Sequence, residues 1–225
     1  MILAQLKKQR KRHNRYLFYL LQLLPLVFVA IYVFDLYPVN VFEALMLWSG
    51  YIAISVFVIS YLMSPAQRLL SYIAIRAQWP LGKRLSDWNF LITYRRTFGM
   101  AAAYFGVWHF MTYFYFEFDF DWLELWFDLQ ARQFIFVGLL AQVILISLFI
   151  TSFNFAKKVL KRHWLTLHSL VHITAVLLLL HIVWESKVLF WYHYMTIGLI
   201  SMLLIERIIN APGMKRIQAR MLRKK

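Results

Sequence analysis

The sequence predicts an all-α membrane protein, a bundle of six transmembrane helices with both termini cytoplasmic. Three observations carry that prediction. Residues of the apolar classes make up 62% of the chain, interrupted by only seven Gly and five Pro. They gather in runs of about twenty, the length that crosses a bilayer core of about 30 Å as an α-helix. The basic residues fall in alternate connections between those runs, as the positive-inside rule requires of a multi-pass protein.

The runs lie near residues 16–34, 45–63, 97–116, 133–152, 165–184 and 189–208. The first follows a basic arm containing "KKQRKR". It is long for a signal-peptide core and is followed by no small-residue cleavage site, so it reads as a retained span. An even number of spans places both termini on one side. The arm carries six Lys+Arg, segment 64–96 six, segment 153–164 four and the tail from Arg207 seven, which is 23 of the 25. The other side has Arg132 and Lys187 among the acidic residues Asp35, Glu43, Glu117, Asp119, Asp121, Glu124, Asp128 and Glu185. The basic side is therefore cytoplasmic. The chain divides into a basic arm (1–15), a six-helix domain (16–208) and a basic tail (209–225). Within 64–96, "LLSYIAIRAQWPLG" reads as an interfacial helix ended by Pro80 and Gly82.

Composition narrows the chemistry. The formal charge of +15 reads as topology and lipid anchoring rather than nucleic-acid binding, because it flanks membrane spans. The acidic outer loop is either a solvated surface or a landing patch for an external partner. With no cysteine, disulfides, thiolate nucleophiles and iron–sulfur clusters are excluded. No Gly-rich fingerprint follows a strand, and nothing orients a Ser–His pair for hydrolysis. The chain is expected to do no substrate chemistry of its own.

The histidines are the informative polar residues. An imidazole in hydrocarbon needs a partner, and residues 163–184, "HWLTLHSLVHITAVLLLLHIVW", contain four of the seven. On a straight helix, His109 of the third span lies about 18–20 Å above the cytoplasmic edge, and His181 of the fifth about 25 Å above it. Helix tilt absorbs the difference, so the two can face one another and share a buried haem iron. His168 lies about 6 Å above the edge, as an inner ligand would. Thirteen residues separate it from His181, leaving the two side chains about 140° apart on an ideal helix, so stacked sites need local bending. His172, one turn beyond His168, is either an alternative inner ligand or a packed, hydrogen-bonded ring. His13 reads as solvated, His163 as an interfacial anchor and His193 as part of an outer aromatic belt. Zinc or non-haem iron fits poorly, since no Asp or Glu lies in the middle of any span.

Several stretches resemble a known family. "YRRTFGMAAAYFGVWHF" (94–110) is similar to its pattern of two arginines, a glycine and a histidine about fourteen residues on. "TSFNFAKKVLKRHWLTLHSLVHITAVLLLLHIVW" (151–184) resembles its Thr-Ser, basic-Trp-x-x-Leu-His and His-x-x-Trp signature. "WSG" at 48–50 and "MSP" at 63–65 resemble its sites on the second span. The family is MsrQ (YedZ), the haem-binding membrane subunits of the periplasmic protein-methionine-sulfoxide reductase system, within the ferric-reductase-like transmembrane group. The resemblance implies a b-type cytochrome of the bacterial inner membrane. Electrons would come from the quinone pool or a cytoplasmic flavin reductase and go to a periplasmic molybdopterin-dependent methionine-sulfoxide reductase. It also implies heme b on His109, His168 and His181, and FMN at no particular residues.

The sequence departs from the family in four places. Segment 65–95 is longer, Lys161 stands where glycine is common, and His172 where an aromatic residue is common. Arg95 or Arg96 occupies the place of the second inner histidine of two-haem relatives; an arginine there suits a haem propionate or a flavin phosphate rather than iron. The alternatives are a ferric reductase or another quinol-linked cytochrome b with a different acceptor, and a haem-free transporter using the histidines as a proton relay.

Overall fold

The computed structural model describes residues 12–14, 16–23, 30, 41–186 and 190–210. Most of the basic arm, most of the first expected span, Lys187 and the tail 211–225 lie outside them. Residues 12–14 and 16–23 are helical. The remaining elements are α1 (Val41–Arg76), α2 (Asn89–Phe118), α3 (Trp122–Ala131), α4 (Gln133–Ile150), α5 (Asn154–Leu160), α6 (His163–Ser169), α7 (Val171–Glu185) and α8 (Trp191–Ile209). A 3-10 turn, Leu85–Trp88, leads into α2.

Four stretches among the described residues are long and apolar enough to cross a membrane: Ala44–Arg76, Gln133–Ile150, His163–Glu185 and Trp191–Ile209. They contain the second, fourth, fifth and sixth expected spans. The third expected span lies within α2, whose 30 residues exceed the crossing length but include Arg95, Arg96, two glycines, three threonines and four tyrosines, which lower its hydropathy.

Segment 64–96 corrects an expectation. The stretch after Pro65 is not a separate interfacial helix; it continues the second span as one 36-residue helix with Pro65 inside it. Proline has no N–H, so the carbonyl four residues back, that of Tyr61, loses its intrahelical donor. Arg207 of α8 supplies the substitute, its Nη2 donating to the Tyr61 carbonyl at 3.0 Å, with the guanidinium carbon 5.1 Å from the Tyr61 ring centroid. Arg207→Met should therefore destabilise the protein by about 1–3 kcal/mol, the typical cost of an orphaned buried acceptor. Adding Pro65→Ala, which restores the N–H, should recover most of that loss in thermal unfolding. If the double variant is no more stable than Arg207→Met alone, the carbonyl is not what Arg207 serves.

Helices α1 and α2 pack closely because their facing side chains are small. Ser60 Oγ donates to the Arg95 carbonyl at 2.8 Å, and a Cβ at Gly99 would lie 3.2 Å from that hydroxyl. Ala101, Ala102 and Ala103 continue the small-residue surface into a core with Phe57, Tyr61, Phe105, Leu145, Ala175, Ile182, Ile200 and Leu203. Without a hydrophobic driving force inside lipid, this close approach is what holds such helices together. The outward surface is apolar, as at Phe136, Val143, Val176 and Met202.

Helix α5 ends at Lys161 with φ 46° and ψ −118°, a conformation that favours glycine. The family's common glycine at this position thus has a backbone reason. Lys161→Gly should raise stability by about 1–2 kcal/mol, from relief of that strain. An unchanged or lowered midpoint of thermal unfolding would contradict it.

Candidate functional site

His109 on α2 and His181 on α7 face each other, with ring centroids 6.4 Å apart and planes at 85°. Each ring is fixed in the same way. His109 Nδ1 is 3.0 Å from the Met46 carbonyl of α1, and His181 Nδ1 is 2.8 Å from the Phe134 carbonyl of α4. A carbonyl oxygen only accepts, so both Nδ1 atoms carry the proton and both Nε2 atoms keep a free lone pair. Anchoring one ring nitrogen so that the other can bind a metal is the usual second-shell arrangement of metal-ligating histidine.

Two glycines leave the rings their space. A Cβ at Gly50 would stand 3.1 Å from the His109 ring, and one at Gly138 would stand 2.7 Å from His181 Nδ1. Gly106, one turn before His109, accommodates the Gln142 side chain, which donates to the Ala103 carbonyl at 2.9 Å. That contact ties α2 to α4 just below the histidines.

The pair fits haem. Metal–imidazole bonds of about 2 Å, with a ring nitrogen about 1.1 Å from its centroid, put two axial rings about 6.3 Å apart. Among the described residues no three His, Asp or Glu side chains converge as a metal-holding group. A two-imidazole donor set suits an iron whose other ligands belong to a macrocycle, and does not suit zinc.

The other expected ligand, His168, is elsewhere and in a different state. Its ring stacks on Trp164 at 4.1 Å, and its Nε2 lies 3.2 Å from Thr151 Oγ1. The Thr151 hydroxyl proton goes to the Ser147 carbonyl at 2.7 Å, so His168 Nε2–H donates to Thr151. Trp164 Nε1 donates to the Thr151 carbonyl at 3.0 Å, making the "TS" and "HW" signatures one knot between α4 and α6. The helix carrying His168 and His181 breaks at Leu170, between α6 and α7.

His172 pairs with Tyr61, Nδ1 to OH at 2.7 Å. Of the two arginines, Arg95 turns inward, with Nη1 donating to Ser64 Oγ at 3.2 Å, whereas Arg96 is exposed. Glu206 is taken by Arg68 in a two-pronged ion pair of 2.8 and 2.7 Å. His193 caps the start of α8, its Nδ1 accepting from the Phe190 N–H at 3.1 Å. Sequence reasoning missed Met46, Phe134 and Gly138, and held Gly50 only through the family-like "WSG", without its role beside His109. The carbonyls have no side-chain signature, and each glycine faces its histidine only in the folded chain.

Residues 49–179 match the family model described as ferric reductase like transmembrane component. The chain is 43% identical over 103 residues to the protein-methionine-sulfoxide reductase heme-binding subunit MsrQ of Herminiimonas arsenicoxydans, covering 45% of this chain and 47% of that protein. It is 30% identical over 149 residues to MsrQ of Rhodospirillum rubrum, covering 66% and 71%. It is 40% identical over 95 residues to MsrQ of Polaromonas naphthalenivorans, covering 42% and 43%. Two of the three alignments thus span about half the relative's own length. No solved structure matches the chain.

Proposed function

The chain belongs to the ferric-reductase-like transmembrane family and, within it, to the MsrQ subunits, and from that premise we propose that it is a b-type cytochrome carrying electrons across the inner membrane. The donor is the quinone pool or a cytoplasmic flavin reductase. The acceptor is a periplasmic molybdopterin-dependent methionine-sulfoxide reductase that repairs oxidised periplasmic proteins. Six spans put both termini in the cytoplasm, and the acidic outer loop on the acceptor's side. The observation that carries this reading is the His109–His181 pair, 6.4 Å apart, with both Nδ1 atoms tethered and both Nε2 atoms free.

His109 and His181 hold the outer heme b, which supplies a one-electron iron couple when bound. The Met46 and Phe134 carbonyls polarise the two imidazoles and make them stronger donors. His168 is the inner ligand; its ring is stacked on Trp164 and its Nε2–H is held by Thr151, so Nδ1 is the nitrogen left to bind iron. Arg95 rather than Arg96 serves the anionic edge of a cofactor, a haem propionate or a flavin phosphate, because only Arg95 turns into the bundle. FMN enters through the family resemblance alone. His172, spoken for by Tyr61, is a packing residue rather than a spare ligand.

The test is reoxidation of the dithionite-reduced protein. A molybdopterin methionine-sulfoxide reductase with methionine sulfoxide should reoxidise the b-type band at least ten times faster than ferric citrate does. The reverse order favours the second reading, a ferric reductase, for which the family description is the supporting observation.

A further inference from the structure

Helix α3 has two apolar faces: one packs on the bundle, and the other is largely exposed, with Trp122 at its edge lying against Phe114, ring centroids 4.5 Å apart. Asp121 caps it, accepting from the Leu123 N–H at 2.7 Å and the Glu124 N–H at 3.3 Å. Leu125 is buried at 3% exposure and packs with Tyr113, Phe114 and Ile135. Asp128 joins that side by hydrogen-bonding the Tyr113 hydroxyl and the Arg132 guanidinium. Trp122, Leu123, Trp126 and Phe127 are 69, 63, 59 and 62% exposed. At 100° per residue those four side chains fill an arc of about 140° beside the packed face, leaving a narrow polar side around Glu124.

Three residues join α3 to α2 and one joins it to α4, so it lies at the level where both helices leave the bundle. The exposed apolar surface of α4 begins within its first turn, at Phe136. The α3 face therefore adjoins lipid-facing surface, and it carries two tryptophans, the residue type that settles at the membrane–water boundary. We propose that α3 lies in the plane of the outer leaflet, with Trp122, Leu123, Trp126 and Phe127 seated among the lipid headgroups and upper acyl chains and Glu124 turned to water. The membrane thereby fixes the corner between α3 and α4, and with it the Phe134 carbonyl that orients His181. That consequence for His181 rests on the haem reading; the depth of α3 does not.

The chain has no cysteine, so single labels report directly. Nitroxides on Glu124→Cys, Trp126→Cys and Phe127→Cys of the full chain in lipid nanodiscs would be relaxed by oxygen and by a water-soluble nickel chelate. Val143→Cys on the lipid-facing side of α4 serves as the control for a folded protein, and Phe127→Cys stands in if Trp126→Cys fails to fold. Oxygen should exceed the nickel chelate several-fold at 126 and 127, with the order reversed at 124. Dominance of the nickel chelate at 126 and 127 would overturn the proposal. So would protection there that arises only when the periplasmic reductase is added, because the face would then be a protein-docking surface.

Discussion

His109→Ala and His181→Ala each lose the main Soret band, while His172→Phe keeps it. The first two remove one ring each of the facing His109–His181 pair, contributed by helices α2 and α7. The third removes a ring already hydrogen-bonded to the Tyr61 hydroxyl. Loss of a mere outer-shell partner typically lowers metal affinity about 10–100-fold, so loss of a ligand should lie at or beyond that range. Haem retained per chain after purification is the measurement. Imidazole in the buffer should partly restore the band in a His181→Gly variant, because the added ring can enter the space left by the lost one. A full-strength band in either alanine variant removes that residue from the ligand set.

Gly138→Ala should be nearly as damaging, though it touches no ligand atom chemically. The added methyl stands 2.7 Å from His181 Nδ1 and 2.8 Å from Cε1, closer than carbon packs against any ring. His181 must swing away, breaking its hydrogen bond to the Phe134 carbonyl and re-aiming Nε2. A haem-affinity loss of about 10–100-fold is expected, the range for an outer-shell partner. Gly198→Ala is the control, since a Cβ there meets nothing within 4 Å. Equal haem content in the two variants would show that the His181 ring tolerates a methyl group at position 138 without moving.

The depth of each histidine along its span is legible because helical rise is fixed, and the His109 and His181 rings expected to face one another do so across two helices. Rotation about the helix axis was not legible. Depth placed His168 and His172 close together, but only tertiary contacts send one to Thr151 and Trp164 and the other to Tyr61. The same holds for "RR": the two arginines look equivalent in sequence, and a 100° turn separates inward Arg95 from exposed Arg96. The second span is expected to end near residue 63, with a separate interfacial helix after it. The helix instead continues through Pro65, and the Tyr61 carbonyl orphaned there is taken by Arg207, 146 residues beyond Tyr61 in sequence, which no local pattern carries. Lys161 is the opposite case: the departure is read in sequence, and the positive φ shows what it costs, because the backbone there suits glycine.

The reduced-minus-oxidised spectrum of the purified chain, with a pyridine-haemochrome count of haem per chain, tests the bis-histidine assignment most directly. Expression with ample haem should yield b-type bands with at least one haem per chain. The oxidised iron should be low-spin, as two tethered axial imidazoles require. A colourless protein, or a haem whose oxidised iron is wholly high-spin, would contradict the pairing of His109 with His181.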